Sequence, residues 1–166
     1  MSKQRATPPD EHAAPRGDAG LPEEVRRRLA EVSALEMSED LVVGVWMPRE
    51  TLCVLALAGE MDMNNAAEVS RVLARRLNGG QRLAVIVELS LLTFMDSSGI
   101  SELIKAAKEL ERHGGCIVLA GPTPGVLRVL ELVGLVEFIV IVETLDAALA
   151  LVAEASSPRN HDRSDL

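Results

Sequence analysis

Aromatic side chains are almost missing from this chain: Trp46, Phe94 and Phe138 are the whole set, and there is no tyrosine. Proteins that read single-stranded RNA or DNA stack bases on aromatic platforms, so that class is disfavoured. Any core must be packed from leucine, valine, isoleucine and alanine. Cysteine is also sparse. Cys53 and Cys116 lie far apart without CxxC spacing, which indicates neither a disulfide framework nor a metal site. Each falls in an apolar, strand-like run and is expected to be a buried thiol. Only His113 of the three histidines lies within the apolar part of the chain, too few for a histidine metal cluster or a catalytic triad. Positive charge is in deficit, with 17 Lys and Arg against 25 Asp and Glu and a net charge of −8, which disfavours nucleic acid and anionic membrane surfaces as partners. A basic protein surface or a nucleotide-charged partner suits it better. The longest apolar region, Val126 to Val152, is broken by Arg128, Glu131, Glu137, Glu143 and Asp146, and nothing near the start resembles a signal peptide. A soluble, cytoplasmic protein without cofactor is expected.

What is present is enough apolar residue for one sizeable core: 48% of 166 residues. Residues 1–20 mix Pro, Ala, Gly and charge without periodicity, as do 156–166, and both are expected to be disordered tails. In 21–40, Leu21, Val25, Leu29 and Val32 form a helical stripe with Arg26, Arg27 and Arg28 on other faces, predicting a short amphipathic helix and a linker. Residues 41–155 carry the domain. Leu41 to Met47 and Thr51 to Ala58 read as strands joined by the turn Pro48-Arg49-Glu50. A polar loop, Gly59 to Asn65, leads into a helix striped by Ala66, Val69, Leu73 and Leu77, with Asn64 or Asn65 as N-cap. Gly79-Gly80 ends it. Arg82 to Leu89 reads as a buried strand and Cys116 to Ala120 as another. Thr123-Pro124 opens a helix in the N-cap and N1 arrangement, which Gly134 stops. Val136 to Val142 reads as a last strand, and Thr144 caps a helix from Leu145 to about Ala155. Strands alternating with helices predict an α/β fold, a single domain with a mixed, mostly parallel sheet, an N-terminal hairpin and packed helices.

Chemistry concentrates where Leu92-Thr93-Phe94-Met95-Asp96-Ser97-Ser98-Gly99-Ile100 hands a strand over to a helix whose stripe is Ile100, Leu103, Ile104, Ala107 and Leu110. In a parallel sheet the loops Gly59 to Asn65 and Met95 to Gly99 lie side by side at the carboxyl ends of their strands. Glu60, Asp62 and Asp96 then form an acidic rim around Ser97 and Ser98.

These segments resemble the STAS domain, and within it the bacterial anti-sigma factor antagonists. Gly59-Glu60-Met61-Asp62 is similar to the family's Gly-Glu-Leu-Asp loop, and Leu92 to Ile100 to its phosphorylation segment. Gly114-Gly115, Thr123-Pro124 and Leu132-Val133-Gly134-Leu135 also fall where the family places equivalents. The resemblance implies that Ser97 is the phosphoacceptor; Ser98 is then read as the helix cap, and Glu60, Asp62, Asp96, Ser98 and Gly99 as partner-binding residues. It implies partner switching in transcription regulation. The unphosphorylated form captures an anti-sigma factor that is also a serine kinase of the histidine-kinase-like ATPase fold, which frees the sigma factor. Phosphorylation ends the capture and a serine phosphatase restores it. Two departures stand out: Glu88, where many relatives carry Asp or Asn, and the long N-terminal extension. A monomer or a homodimer is compatible with the sequence.

Two rival readings remain at this stage. A serine-nucleophile enzyme lacks a Gly-x-Ser-x-Gly elbow and has only His113 as base, so no catalytic residue is assigned. A STAS scaffold or sensor, not phosphorylated and held in a larger signalling assembly, is the alternative.

Overall fold

Six strands and four helices are set out in the computed structural model, which describes residues 34–77 and 82–157. In chain order they are β1 (Ala34–Met37), β2 (Leu41–Arg49), β3 (Leu52–Met61), α1 (Ala66–Leu77), β4 (Ala84–Met95), α2 (Ser97–Arg112), β5 (Cys116–Ala120), α3 (Pro124–Leu132), a 3₁₀ turn (Leu135–Glu137), β6 (Val140–Val142) and α4 (Leu145–Ser156). The strands form one sheet in sequential order. β1, β2 and β3 are antiparallel, and β3 to β6 are parallel.

Alternation along the strands divides the core in two. Val43 and Val45 of β2, Cys53, Leu55 and Leu57 of β3, and Val85, Val87 and Leu89 of β4 face α1, α2 and α3, which contribute Val69, Leu73, Leu103, Leu110, Val126 and Leu130. Leu52, Val54, Ile86, Val118 and Ala120 point the other way and are covered by Ala148 and Val152 of α4. β4 is therefore buried on both faces, which is why it reads as a continuous aliphatic run.

Several expectations change. The N-terminal amphipathic helix, the N-terminal tail, residues 158–166 of the expected C-terminal tail and the Gly79-Gly80 helix end lie outside the described residues, while Ser156, expected to open that tail, is the last residue of α4. Within the expected linker, Ala34–Met37 pairs with β2 from Ala34↔Val45 to Met37↔Val42. Ala-Leu-Glu-Met favours helix intrinsically, and pairing with β2 overrides that preference. Pro48 lies inside β2, where the register slips between Trp46 and Arg49, and the turn is at Glu50-Thr51. A residue without an N–H fits a bulge better than a regular ladder. β3 runs three residues past Ala58. Gly59, at φ +104, brings the chain so close to Asp40 that an added Cβ would stand 2.1 Å from the Asp40 carbonyl oxygen, and the Glu60 N–H donates to that oxygen at 2.8 Å.

β4 runs to Met95, six residues beyond expectation. Ala56 pairs with Glu88 but Ala58 with Leu91, and Gly59 pairs with Leu92 but Glu60 with Phe94. Two extra residues are thus bulged out of β4. Buried positions become Leu89, Leu92 and Met95, a spacing of three that hides the strand from a search for period two. The expected strand Val136 to Val142 is only β6, because Leu135–Glu137 turn as 3₁₀ helix after Gly134 at φ +71. Cys53 is buried, but Cys116 is exposed as the first residue of β5.

Candidate functional site: an exposed serine at a strand-to-helix junction

β3 and β4 end together: Met61 pairs with Met95, and the Asp96 N–H donates to the Met61 carbonyl at 3.2 Å. The two expected loops therefore do meet at the carboxyl ends of adjacent parallel strands. The second is hardly a loop, since only Asp96 separates β4 from α2.

Asp96 is the N-cap of α2, with extended backbone, and its Oδ1 accepts the N–H groups of Ser98 at 2.8 Å and Gly99 at 3.2 Å. This corrects the expectation that Ser98 is the cap: Ser98 lies inside the first turn. A carboxylate caps at least as well as a hydroxyl and adds a favourable charge at the positive end of the helix. Ser97, the first helical residue, is exposed, and Ser98 is half-buried.

Gly99, expected among the partner-facing residues, is buried. A Cβ there would stand 2.6 Å from Met95 Cγ and 3.2 Å from Met61 Sδ, so the glycine lets α2 seat directly on the ends of β3 and β4. Glu60 is exposed on β3 beside Phe94. Asp62 is half-buried and occupied within its own turn: Oδ1 accepts the Asn64 N–H at 2.8 Å, and Oδ2 the Asn64 side-chain amide at 3.4 Å. Asn65 precedes α1 but turns its side chain back into the loop rather than capping the helix. Its Oδ1 accepts the Asp62 N–H at 2.9 Å and its Nδ2 donates to the Glu60 carbonyl at 2.9 Å. Of the three acids expected to form a rim, Glu60 is exposed, while Asp62 and Asp96 accept hydrogen bonds within their own turns.

Two residues escaped sequence reasoning, and two that it named have roles other than those expected. Met63 and Phe94 are exposed apolar side chains, 78% and 47%, at this same end of the sheet. Phe94 was hidden by its place in an apolar run; its rarity in an aromatic-poor chain was the available signal. Thr123 is the N-cap residue of α3 and Pro124 follows it as expected, but the Thr123 hydroxyl, instead of capping, donates to the Leu92 carbonyl at 2.9 Å and ties the start of α3 to β4. Glu88, buried at 4% exposure, accepts the Ser90 N–H at 2.8 Å, an amide next to the first bulge. His113 caps the far end of α2, a helix about 24 Å long at 1.5 Å per residue, well away from Ser97. Among the described residues, no group of three or more His, Cys, Asp or Glu is placed to hold a metal ion, and no helix is long and apolar enough to cross a membrane.

Comparison with known proteins gives a consistent picture. Residues 48–148 match the family model described as STAS domain. An anti-sigma F factor antagonist of Lysinibacillus sphaericus is 32% identical over 87 residues, 52% of this chain and 74% of that protein. A putative anti-sigma factor antagonist, BtrV, of Bordetella bronchiseptica is 27% identical over 99 residues, 60% of this chain and 84% of that one. Among solved structures, the anti-sigma factor antagonist SpoIIAA in its unphosphorylated form superposes with a TM-score of 0.59 at 26% identity, covering 68% of this chain and 96% of that one. The phosphorylated form of the Bacillus cell fate determinant SpoIIAA gives 0.55 at 25% identity, covering 66% and 98%.

Proposed function

The chain belongs to the STAS domain family, and on that premise we propose that it is an anti-sigma factor antagonist whose partner binding is switched off by phosphorylation of Ser97. The observation that carries this reading is the placement of Ser97: exposed, first in α2 and directly after a capping carboxylate, at the end of the sheet where Glu60, Met63 and Phe94 are also exposed. The names of the curated relatives and the existence of SpoIIAA structures in unphosphorylated and phosphorylated forms support it. The partner is an anti-sigma factor that is itself a serine kinase with a histidine-kinase-like ATPase fold. A serine phosphatase resets the switch, and the setting is the cytoplasm, where sigma factors act.

The physical basis is electrostatic and steric. A phosphate adds about −1.5 to −2 charges at pH 7. Helix N-termini favour anions by about 0.3–1 kcal/mol through unpaired N–H groups, but Asp96 already takes those of Ser98 and Gly99. The phosphate therefore gains little locally and stands beside a like charge. At about 5 Å and an effective dielectric near 20, one such pair repels by roughly 3 kcal/mol before screening. The negative potential and bulk at this face rise together, while the strands and helices beneath stay as they are. A partner that sets acidic groups opposite Ser97 is rejected by like charge, and the bulk of the phosphate adds a loss of fit over Met63 and Phe94.

Calorimetric titration of the kinase partner into unmodified and Ser97-phosphorylated protein tests the reading. Binding at least 100-fold weaker after phosphorylation, about 2.8 kcal/mol, is expected. Equal affinities would refute the switch.

A further inference from the structure

The two faces of the sheet are covered unequally. On one, Val43 and Val45 of β2 and Leu55 and Leu57 of β3 are at most 1% exposed, in the cluster shared with α1, α2 and α3. On the other, α4 packs chiefly against β4, β5 and β6. A helix is about 10 Å across and strands lie about 4.8 Å apart, so one helix covers two or three strands. Among the described residues, the strip of this face over β1, β2 and β3 has no helix of its own. Along it Val42 pairs with Ala58, Gly44 with Ala56 and Trp46 with Val54. Val42, Trp46, Ala56 and Ala58 are half-buried. Gly44 and the two alanines make a shallow trough, and Trp46 walls one end of it where it packs on the cluster beneath α4. Neither 42–46 nor 52–58 contains a charged residue.

We propose that the chain's own segment 21–32 docks here as a helix, with Leu21, Val25, Leu29 and Val32 turned into the trough, and that this docking delivers residues 1–20 to the Ser97 end of the sheet. Reach selects this occupant. The described chain opens with Ala34 in β1, the edge strand beside the trough, and only Ser33 separates it from Val32. A tethered segment meets so near a surface at an effective concentration on the order of millimolar, an advantage that a second copy or another protein lacks. The exposed apolar residues around Phe138 adjoin β6, the opposite edge of the sheet, beyond the reach of one connecting residue. Direction and length agree as well. β1 is antiparallel to β2, and β2 to β3, so β1 runs with β3 toward the Ser97 end. A helix that enters β1 through a tight connection runs back the other way. Segment 21–32 spans about 18 Å at about 1.5 Å per residue. Ala34 is level with Leu55 through Val45, and from Leu55 to Met61 the strand covers about 20 Å at about 3.3 Å per residue. Leu21 therefore comes level with Met61, which pairs with Met95 beside the site. The docking itself does not depend on phosphorylation of Ser97.

The test uses the full-length protein, whose only tryptophan is Trp46. Val25→Asp and Leu29→Asp are expected to shift its emission to the red and at least to double its acrylamide quenching constant. Ala30→Asp places the same charge on the side of the helix away from the stripe and should leave both as in wild type. In ¹⁵N spectra, Leu29→Asp should move amides at 42–46 and 54–58 while those of α2 and α3 keep their positions, which shows the domain still folded. A nitroxide on Gly20→Cys, in a Cys116→Ser background where Cys53 stays buried, should broaden amides at 61–64 and 94–98. Equal quenching of Trp46 in all four proteins, an effect of Ala30→Asp as large as that of Leu29→Asp, or broadening that misses 61–64 would overturn the proposal. So would a dimer in sedimentation analysis that Leu29→Asp dissociates, because the stripe would then serve a second copy.

Discussion

One oxygen of Asp96, Oδ1, accepts the backbone N–H of Ser98 at 2.8 Å, so the residue before the exposed serine, rather than either serine, closes the helix that presents it. Asp96→Ala removes that cap and should cost about 1 kcal/mol, within the 0.5–2 kcal/mol usual for N-caps. Asp96→Asn should cost less than half as much, since it keeps an acceptor. Urea unfolding of the three proteins at pH 7 measures both differences. An Ala variant as stable as the wild type would remove Asp96 from this role.

Gly99→Ala sets two effects against each other. Alanine in a helix is ordinarily favoured over glycine by about 0.5–1 kcal/mol. Here the added Cβ meets Met95 Cγ at 2.6 Å and Met61 at 3.2 Å, both buried, and overpacking costs about 1–3 kcal/mol. The clash should win, giving net destabilisation. In a Met95→Ala background the same substitution should become neutral or stabilising, so a double-mutant cycle read by thermal unfolding isolates the contact.

How far the sequence could be read depended on where regular periodicity survived. α2, with Leu103 and Leu110 on its buried face, and the aliphatic run of β5 were legible because side-chain pattern and final structure agree. The last six residues of β4 were not, because two bulges turn the period of two into a spacing of three, and Gly59 looked like a loop residue when its lack of a Cβ serves a strand packed against Asp40. At the site, the serine and its flanking acid were visible as residue types. Which of them caps the helix depends on backbone geometry, and the exposure of Met63 and Phe94 at the same end of the sheet depends on two strands ending together. Neither is encoded in local spacing.

The two thiols should respond unequally to alkylation. Burial pushes the Cys53 thiol up to about 11, with Arg76 pulling slightly the other way, and the side chain has no solvent access. Cys116 is also raised by burial, yet its residue is exposed at the start of β5. Iodoacetamide at pH 8 should label Cys116 in the folded protein and reach Cys53 only after denaturation. Peptide mass mapping over time distinguishes this from equal labelling, which would contradict the burial of Cys53.

Glu102 links α1 to α2. The Lys105 ammonium donates to Glu102 Oε1 at 2.7 Å, the Ser70 hydroxyl donates to Oε2, and together they hold its carboxyl below the usual value of 4.5. A carboxylate with a depressed folded-state value stabilises fully above its unfolded value and loses that contribution as pH falls through the folded one. Wild type should therefore lose stability relative to Glu102→Gln between about pH 5 and pH 3 and run parallel to it above about pH 6. Thermal unfolding of both proteins across that range reads the difference. A constant gap down to pH 3 would contradict the link.

The most direct test of the switch is intact mass with peptide mapping after incubating wild type and Ser97→Ala with ATP and soluble extract of the source cells. A single added phosphate located on Ser97 and absent from Ser97→Ala is the predicted result. An unmodified Ser97, while a control substrate in the same extract is phosphorylated, would contradict the account.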